Sequence, residues 1–257
     1  MPTVRAAVLL AAFLIVTFLL IPVQWLGLTL RLPYVRAFPH AYHRFVARLL
    51  GIRIRVLGAP VPGALLVANH TGWLDIVIFS AVMPLSFVAK SEVASWPFFG
   101  TLARLQRSVF VTPQRRSQAA EARDDIRDRL MAGDALVLFP EGTSSDGNGV
   151  LPFKSALLGA AEAEFEGKHI TVQPVSTAYT GIHGIPMGRE NRPLFAWYGD
   201  MELVPHLWES LKAGPLDVVV EFHPPLSLDA MDRKELAQRA EALVRAGQIR
   251  ALSGARR

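Results

Sequence analysis

No cysteine occurs among the 257 residues. That absence excludes disulfides, thiolate metal ligands and cysteine nucleophiles, and it leaves the cellular compartment open. No acidic residue precedes Asp75, whereas Arg5, Arg31, Arg36, Arg44, Arg48, Arg53 and Arg55 all do. The formal charge of +5 therefore belongs to the N-terminal quarter, and the remainder is close to neutral. Such a segment attracts either nucleic acid or an anionic membrane surface. No nucleic-acid-binding module accompanies the charge, which speaks against the first. A G-x-S-x-G elbow is also missing, so the nucleophile of a serine hydrolase of that kind is missing with it. Internal repeats and low-complexity segments are absent.

Apolar sequence is what the chain has in quantity, at 51% of residues. Residues 6–30, AAVLLAAFLIVTFLLIPVQWLGLTL, carry no formal charge over 25 positions between Arg5 and Arg31. A helix needs about 20 apolar residues to cross a bilayer. The run is too long for a cleaved signal peptide, and no small-x-small site follows it. It reads as a membrane anchor. Pro22 and Gln24 interrupt its far end, as in a kinked or half-inserted helix. The arginines on the C-terminal flank place the body of the protein on the cytoplasmic side. FPHAYHRFVARLLGI, residues 38–52, mixes aromatic, aliphatic and basic residues at helical spacing and reads as an interfacial helix against anionic headgroups. The expected division is an anchor with a basic interfacial helix over 1–52 and a main domain over 53–257.

In the main domain, short apolar runs alternate with turns. Strands are expected at 52–57, 64–69, 86–90, 108–111, 135–139, 170–175 and 217–222. A short helix is expected at 74–83, stopped by Pro84. Two amphipathic helices are expected: about 116–131, ending at Gly133, and about 231–245, with Asp229 as N-cap and Gly247 just past the end. Alternating strands and helices imply an α/β fold with a central, largely parallel mixed sheet flanked by helices. The Gly-rich stretch 180–192 reads as a mobile loop. Ligands of such sheets sit at the C-terminal ends of strands. Two of the predicted strands end in polar, glycine-containing turns, at His70-Thr71-Gly72 and at Pro140-Glu141-Gly142-Thr143-Ser144-Ser145.

In ANHTGWLD, residues 68–75, a histidine precedes an aspartate by five positions. On one regular helix the two would lie about 140° apart and would not meet. They meet if His70 lies in the turn and Asp75 in the first helical turn, with Gly72 permitting the turn and Thr71 capping the helix. A carboxylate on one ring nitrogen then fixes the tautomer, and the other nitrogen takes a proton from a substrate hydroxyl. The plainer alternative is that His70 ends a strand and Asp75 favours a helix N-terminus. No partner histidine or carboxylate cluster supports a metal site.

The ordered set decides between them. NHTGWLD is followed by AKSEV (89–93) with Pro97 and Gly100, by FPEGTSS (139–145), by LPFKSAL (151–157) and by VQPV (172–175). Together they resemble the N-H-x4-D, K-x-E, F-P-E-G-T, F-K and V-x-P-V blocks of the glycerolipid acyltransferase family, typified by lysophosphatidic acid acyltransferases. The resemblance covers about residues 65–180. It implies that 53–257 is a catalytic domain, that His70 is the base and that Asp75 orients it. It implies substrate contacts at Lys90, Glu141, Gly142, Thr143, Lys154 and Pro174. The acyl donor would be acyl-CoA or acyl carrier protein, with no metal or organic cofactor. The other partners would be membrane lipids and a lysolipid acceptor, at the cytoplasmic face of a bacterial inner membrane.

Two departures bear on the acceptor. The family's second block commonly reads F-[IV]-D-R, where this chain has Phe110-Val111-Thr112-Pro113; Arg115 and Arg116 follow as substitutes. Its third block commonly reads F-P-E-G-T-R-S, where this chain has Ser144. Serine does not replace the bidentate grip of arginine on phosphate. The family default, 1-acylglycerol-3-phosphate, therefore stands beside a second class of acceptor, lyso-ornithine lipid or another lysophospholipid; residues 179–207 resemble the bacterial lyso-ornithine lipid acyltransferases. A non-catalytic membrane-surface protein is the alternative from another class; it would be marked by loss of the base or its carboxylate, and this chain keeps both.

Overall fold

The computed structural model describes residues 2–111, 116–162, 164–165 and 167–254; for 116–122, 165 and 168 it describes the backbone alone. Among the described residues seven α-helices are formed: α1 (Pro2–Thr29), α2 (Phe38–Leu50), α3 (Leu74–Val82), α4 (Phe99–Leu105), α5 (Arg116–Met131), α6 (Leu203–Ala213) and α7 (Arg233–Leu252). The strands are β1 (Arg53–Leu57), β2 (Leu65–Ala68), β3 (Ser86–Lys90), β4 (Val109–Val111), β5 (Leu136–Leu138), β6 (Glu164–Phe165), β7 (Lys168–His169), β8 (Val172–Ile182), β9 (Ile185–Pro186) and β10 (Leu216–Phe222). The main sheet has the order β1-β10-β8-β2-β5-β3-β4, with β9 added to β8. Along that order only β10 and β8 pair antiparallel, so the sheet is mixed and largely parallel, as expected. β6 and β7 form a separate small hairpin.

The continuous apolar runs fall where both sheet faces are covered. In β2, Leu66 and Ala68 face a core shared with α1, α2, α3 and α6, while Leu65 and Val67 face a core shared with α5 and α7. β5 divides the same way, with Val137 on the first side and Leu136 and Leu138 on the second. Period-two side chains between two helical layers require every position to be apolar. Leu65, Leu66, Ile78, Phe79 and Leu136 are fully buried, each a stabilisation of roughly 1.5–3 kcal/mol. β1 is the edge strand, so its arginines point to solvent and its sequence alternates.

Four expectations need correction. Gly247 does not follow a helix end: α7 runs on to Leu252, and Gly247 is buried within it. A Cβ there would lie 2.3 Å from Ser176 Oγ, so the glycine is set by close packing on β8. The cap of α7 is Asp232, whose carboxylate accepts from the Glu235 N–H at 2.8 Å; Asp229 instead pairs with His169. The 180–192 stretch is not one loop, because β8 continues to Ile182 and turns through Gly184 into β9. The side chain of Thr71 does not cap α3.

α1 is long and apolar enough to cross a membrane by length and composition. It is also tied to the domain along its whole length. The Arg5 guanidinium donates to the Leu211 carbonyl of α6 at 2.7 Å. Thr17 Oγ1 bonds the Tyr42 hydroxyl of α2 at 2.6 Å. Gln24 Nε2 donates to the carbonyls of Val35 and Leu105, each at 3.0 Å. The opposite side of α1 leaves Val8, Ile15, Phe18, Leu19 and Trp25 exposed. Pro22 lies inside the helix, which continues past it.

Candidate active site

Two turns meet at the C-terminal ends of β2 and β5. Asn69, just after β2, donates to the Thr177 carbonyl at 2.9 Å and accepts from the Thr177 N–H at 2.8 Å, pinning the strand end to β8. The chain then passes through His70, Thr71 and Gly72 into α3. Gly72 is needed because a Cβ there would sit 2.8 Å from the Trp197 backbone nitrogen. That nitrogen donates to the Thr71 carbonyl at 2.9 Å.

Asp75 enters the first turn of α3 and folds back over this segment. Its Oδ2 accepts from His70 Nδ1 at 2.8 Å, from the Thr71 N–H at 2.6 Å and from the Gly72 N–H at 3.1 Å. The carboxylate therefore ties the 70–72 turn to the start of α3, and it orients the imidazole as well. With Nδ1–H directed to a carboxylate, Nε2 is the nitrogen left as proton acceptor. Asp75 is fully buried, while the His70 side chain remains 22% exposed.

The second turn, after β5, supports the first. Phe139 stacks on the His70 imidazole with centroids 4.1 Å apart and planes at 17°. The Ser145 N–H donates to the His70 carbonyl at 2.8 Å. Ser144 Oγ donates to the Trp197 carbonyl at 2.5 Å. Gly142, with φ +69°, closes the turn by donating to the Phe139 carbonyl at 3.1 Å. Asn69, Phe139, Ser145, Trp197 and Tyr179 are the functional neighbours that sequence reasoning missed. Asn69, Phe139 and Ser145 had a signal, lying inside the NHTGWLD and FPEGTSS blocks.

A cavity of about 510 Å³ opens at His70 and extends between the sheet and the N-terminal helices. Its far walls are apolar, with Phe13 and Leu20 of α1, Val46 of α2 and Leu207 of α6. His70, Lys90, Gly142, Thr143 and Ser144 line it together. The exposed Lys154 approaches this end, its Nζ lying 3.0 Å from where a Cβ on Gly142 would be. Among the described residues no group of His, Asp and Glu could hold a metal ion.

Two expected contacts, Glu141 and Pro174, are not brought to the cavity. Glu141 is 1% exposed and points inward. Its Oε1 accepts from the Leu151 N–H at 3.3 Å, the His70 N–H also faces the carboxyl, and Oε2 has no partner among the described residues. Burial, with a smaller push from Asp75, raises its pKa to about 8. Pro174 sits inside β8 opposite Val67, and its carbonyl accepts from the His223 N–H at 2.9 Å. Arg115 lies outside the described residues, and Arg116 is described only as the backbone start of α5. Two further cations are engaged elsewhere: Arg107 forks onto Asp134, and Arg104 donates to the Ala94 carbonyl at 2.7 Å.

Comparison with known proteins identifies the family. The sequence model of a family described as Acyltransferase matches residues 53–178. A lyso-ornithine lipid O-acyltransferase of Brucella abortus is 50% identical, covering 98% of this chain and 97% of its own. A 1-acyl-sn-glycerol-3-phosphate acyltransferase of Neisseria gonorrhoeae is 33% identical, covering 74% and 72%. The crystal structure of the 1-acyl-sn-glycerophosphate acyltransferase of Thermotoga maritima superimposes with a TM-score of 0.69 at 23% identity, covering 100% and 99%, a likeness of fold.

Proposed function

Since the chain belongs to the glycerolipid acyltransferase family, we propose that it acylates the free hydroxyl of a lyso-ornithine lipid. The acyl group comes from a thioester, acyl-CoA or acyl carrier protein. The observation that carries the reading is the His70–Asp75 pair at the mouth of an apolar cavity. His70 Nε2 takes the proton of the acceptor hydroxyl as its oxygen attacks the thioester carbonyl. The tetrahedral intermediate collapses with cleavage of the C–S bond, and the imidazolium returns its proton to the leaving thiolate. The proposed donors to the oxyanion are the backbone N–H groups of Thr143 and Ser144, which line this end of the cavity. Donors held in place before the reaction stabilise the developing charge without reorganisation. The apolar remainder of the cavity takes an acyl chain.

The acceptor assignment shifts from the default expected from sequence to the second one. Ser144 stands where an arginine would grip a phosphomonoester, and its hydroxyl is spent on the Trp197 carbonyl. The 50% identity over nearly the whole of both chains supports the same choice. An ornithine headgroup carries both a carboxylate and an ammonium, and it does not require bidentate phosphate binding. We place α1 and the basic face of α2 in the inner leaflet of a bacterial inner membrane, with the sheet on the cytoplasmic side. An acceptor competition tests the reading. Membranes holding the protein receive labelled acyl donor with equal lysophosphatidic acid and lyso-ornithine lipid, and mass spectrometry identifies the product. Acylated ornithine lipid is expected; phosphatidic acid as the main product would overturn the assignment.

A further inference from the structure

Asp75 has a second oxygen, and the acyl-transfer reading leaves it without a task. Oδ2 holds the imidazole and two backbone N–H groups. Oδ1 accepts from the Tyr179 hydroxyl at 2.9 Å. Tyr179 comes from the middle of β8, where it pairs with Val218 of β10, far from the turn in sequence. Its ring is 1% exposed, and no second partner of its hydroxyl is found among the described residues. A buried hydroxyl is costly unless bonded, and phenylalanine would fill the same space. The oxygen is therefore placed for the carboxylate.

We propose that Tyr179 is a positioning residue of the acyl-transfer site, its hydroxyl fixing Asp75 Oδ1 so that the carboxylate holds His70 in one orientation and one tautomer. Two anchors from separate elements stop the carboxylate from rotating about its Cβ–Cγ bond. One is the 70–72 turn and the other is the sheet. Burial and the adjacent carboxylate keep the phenol protonated well above its ordinary range, so Tyr179 is a donor at every working pH. The other ionisable groups facing the pair are His70 itself and Glu141, with Arg245 of α7 acting on Glu141.

The sign of the effect follows. The Tyr179 O–H disperses the charge on Asp75. Without it, the carboxylate holds a protonated imidazole more strongly, or takes up a proton itself. Either change moves the acid limb of kcat/KM to higher pH. A residue that merely packs the core would leave the limb in place.

The inference rests on His70 acting as the base, and the experiment separates the two. The Tyr179→Phe variant is assayed beside the wild type with lyso-ornithine lipid and a palmitoyl thioester. The acid limb should rise by about half to one pH unit, with turnover roughly tenfold lower, the scale of one hydrogen bond to a charged group. In an Asp75→Asn background the same change should cost almost nothing more, because coupled residues are not additive. Replacing Tyr179 by 3-fluorotyrosine keeps the packing and strengthens the donor, so the limb should move to lower pH. An unmoved limb in both variants, or full additivity with Asp75→Asn, would overturn the proposal. If His70→Ala retained full turnover, the base assignment itself would fail, whatever Tyr179 did.

Discussion

The two ends of the cavity treat polar and apolar groups in opposite ways. At the His70 end, a fully buried carboxylate receives four hydrogen bonds, from His70, Thr71, Gly72 and Tyr179. At the α1 end, Arg5, Thr17 and Gln24 turn polar atoms inward, while large apolar side chains from Val8 to Trp25 face outward. The first end is built to hold a charge in one geometry inside protein. The second fits the proposed contact with hydrocarbon, where apolar exposure carries no penalty and only the inward polar atoms need partners. On the proposed function, one chain presents a hydroxyl-activating pair beside an apolar face suited to a membrane, where the lysolipid and its product reside.

The comparison predicts a ranking of effects. The largest belongs to the charged end. Asp75→Asn removes the acceptor that fixes the His70 tautomer, and kcat/KM should fall by about 10³- to 10⁴-fold, as when such a pair loses its carboxylate. A loss under tenfold would place the proton acceptor elsewhere.

Next is Glu141, which is buried with a pKa raised to about 8. The unfolded carboxyl ionises near 4.5, so between there and about 8 the folded state holds one more proton. Stability must then fall as pH rises through that window and level off above it. The contribution is on the order of a few kcal/mol. Glu141→Gln should flatten this slope in denaturation midpoints measured from pH 4.5 to 8.5. A wild-type curve that rises through the window instead would mean that Glu141 is charged in the fold.

A smaller pair sharpens the contrast along α1. Gln24→Leu strips the donor from the carbonyls of Val35 and Leu105 and should cost about 1–3 kcal/mol. Ile15→Glu lies on the outward face, 60% exposed. It should change stability by less than about 0.5 kcal/mol, yet weaken flotation with anionic vesicles. The reverse ranking of the two in thermal melts would mean that the faces of α1 have been assigned the wrong way round.

Legibility in the sequence follows the same physical divide. β2, β3, β5 and the start of β8 were readable because burial on two faces leaves an unbroken apolar run. The rest of β8 was not, since Ser176, Thr177 and Thr180 break the run, although Ser176 Oγ bonds the His223 ring and Thr180 Oγ1 donates to the Asp217 carbonyl of β10. α6 was missed because it opens on Leu203-Val204-Pro205, and α4 because it spans only Phe99–Leu105. At the site, His70 and Asp75 stood out through local spacing. Tyr179 did not, because its bond to Asp75 spans 104 residues and exists only once β8 lies beside β2. Glu141 was visible as a residue type, but the direction of its side chain was not. Sequence shows that a turn carries a carboxylate; the packing of Leu151 and His70 around it turns it inward.

The central claim is that His70 Nε2 carries the proton out of the acceptor hydroxyl. It is tested most directly by turnover of full-length His70→Ala in membranes, with lyso-ornithine lipid and labelled acyl thioester. Mass spectrometry would report the product, and a thermal melt and vesicle flotation would report fold and binding. The account predicts at least a hundredfold loss, the lower range for removing a positioned base, with melt and flotation unchanged. Full turnover by the variant would contradict it.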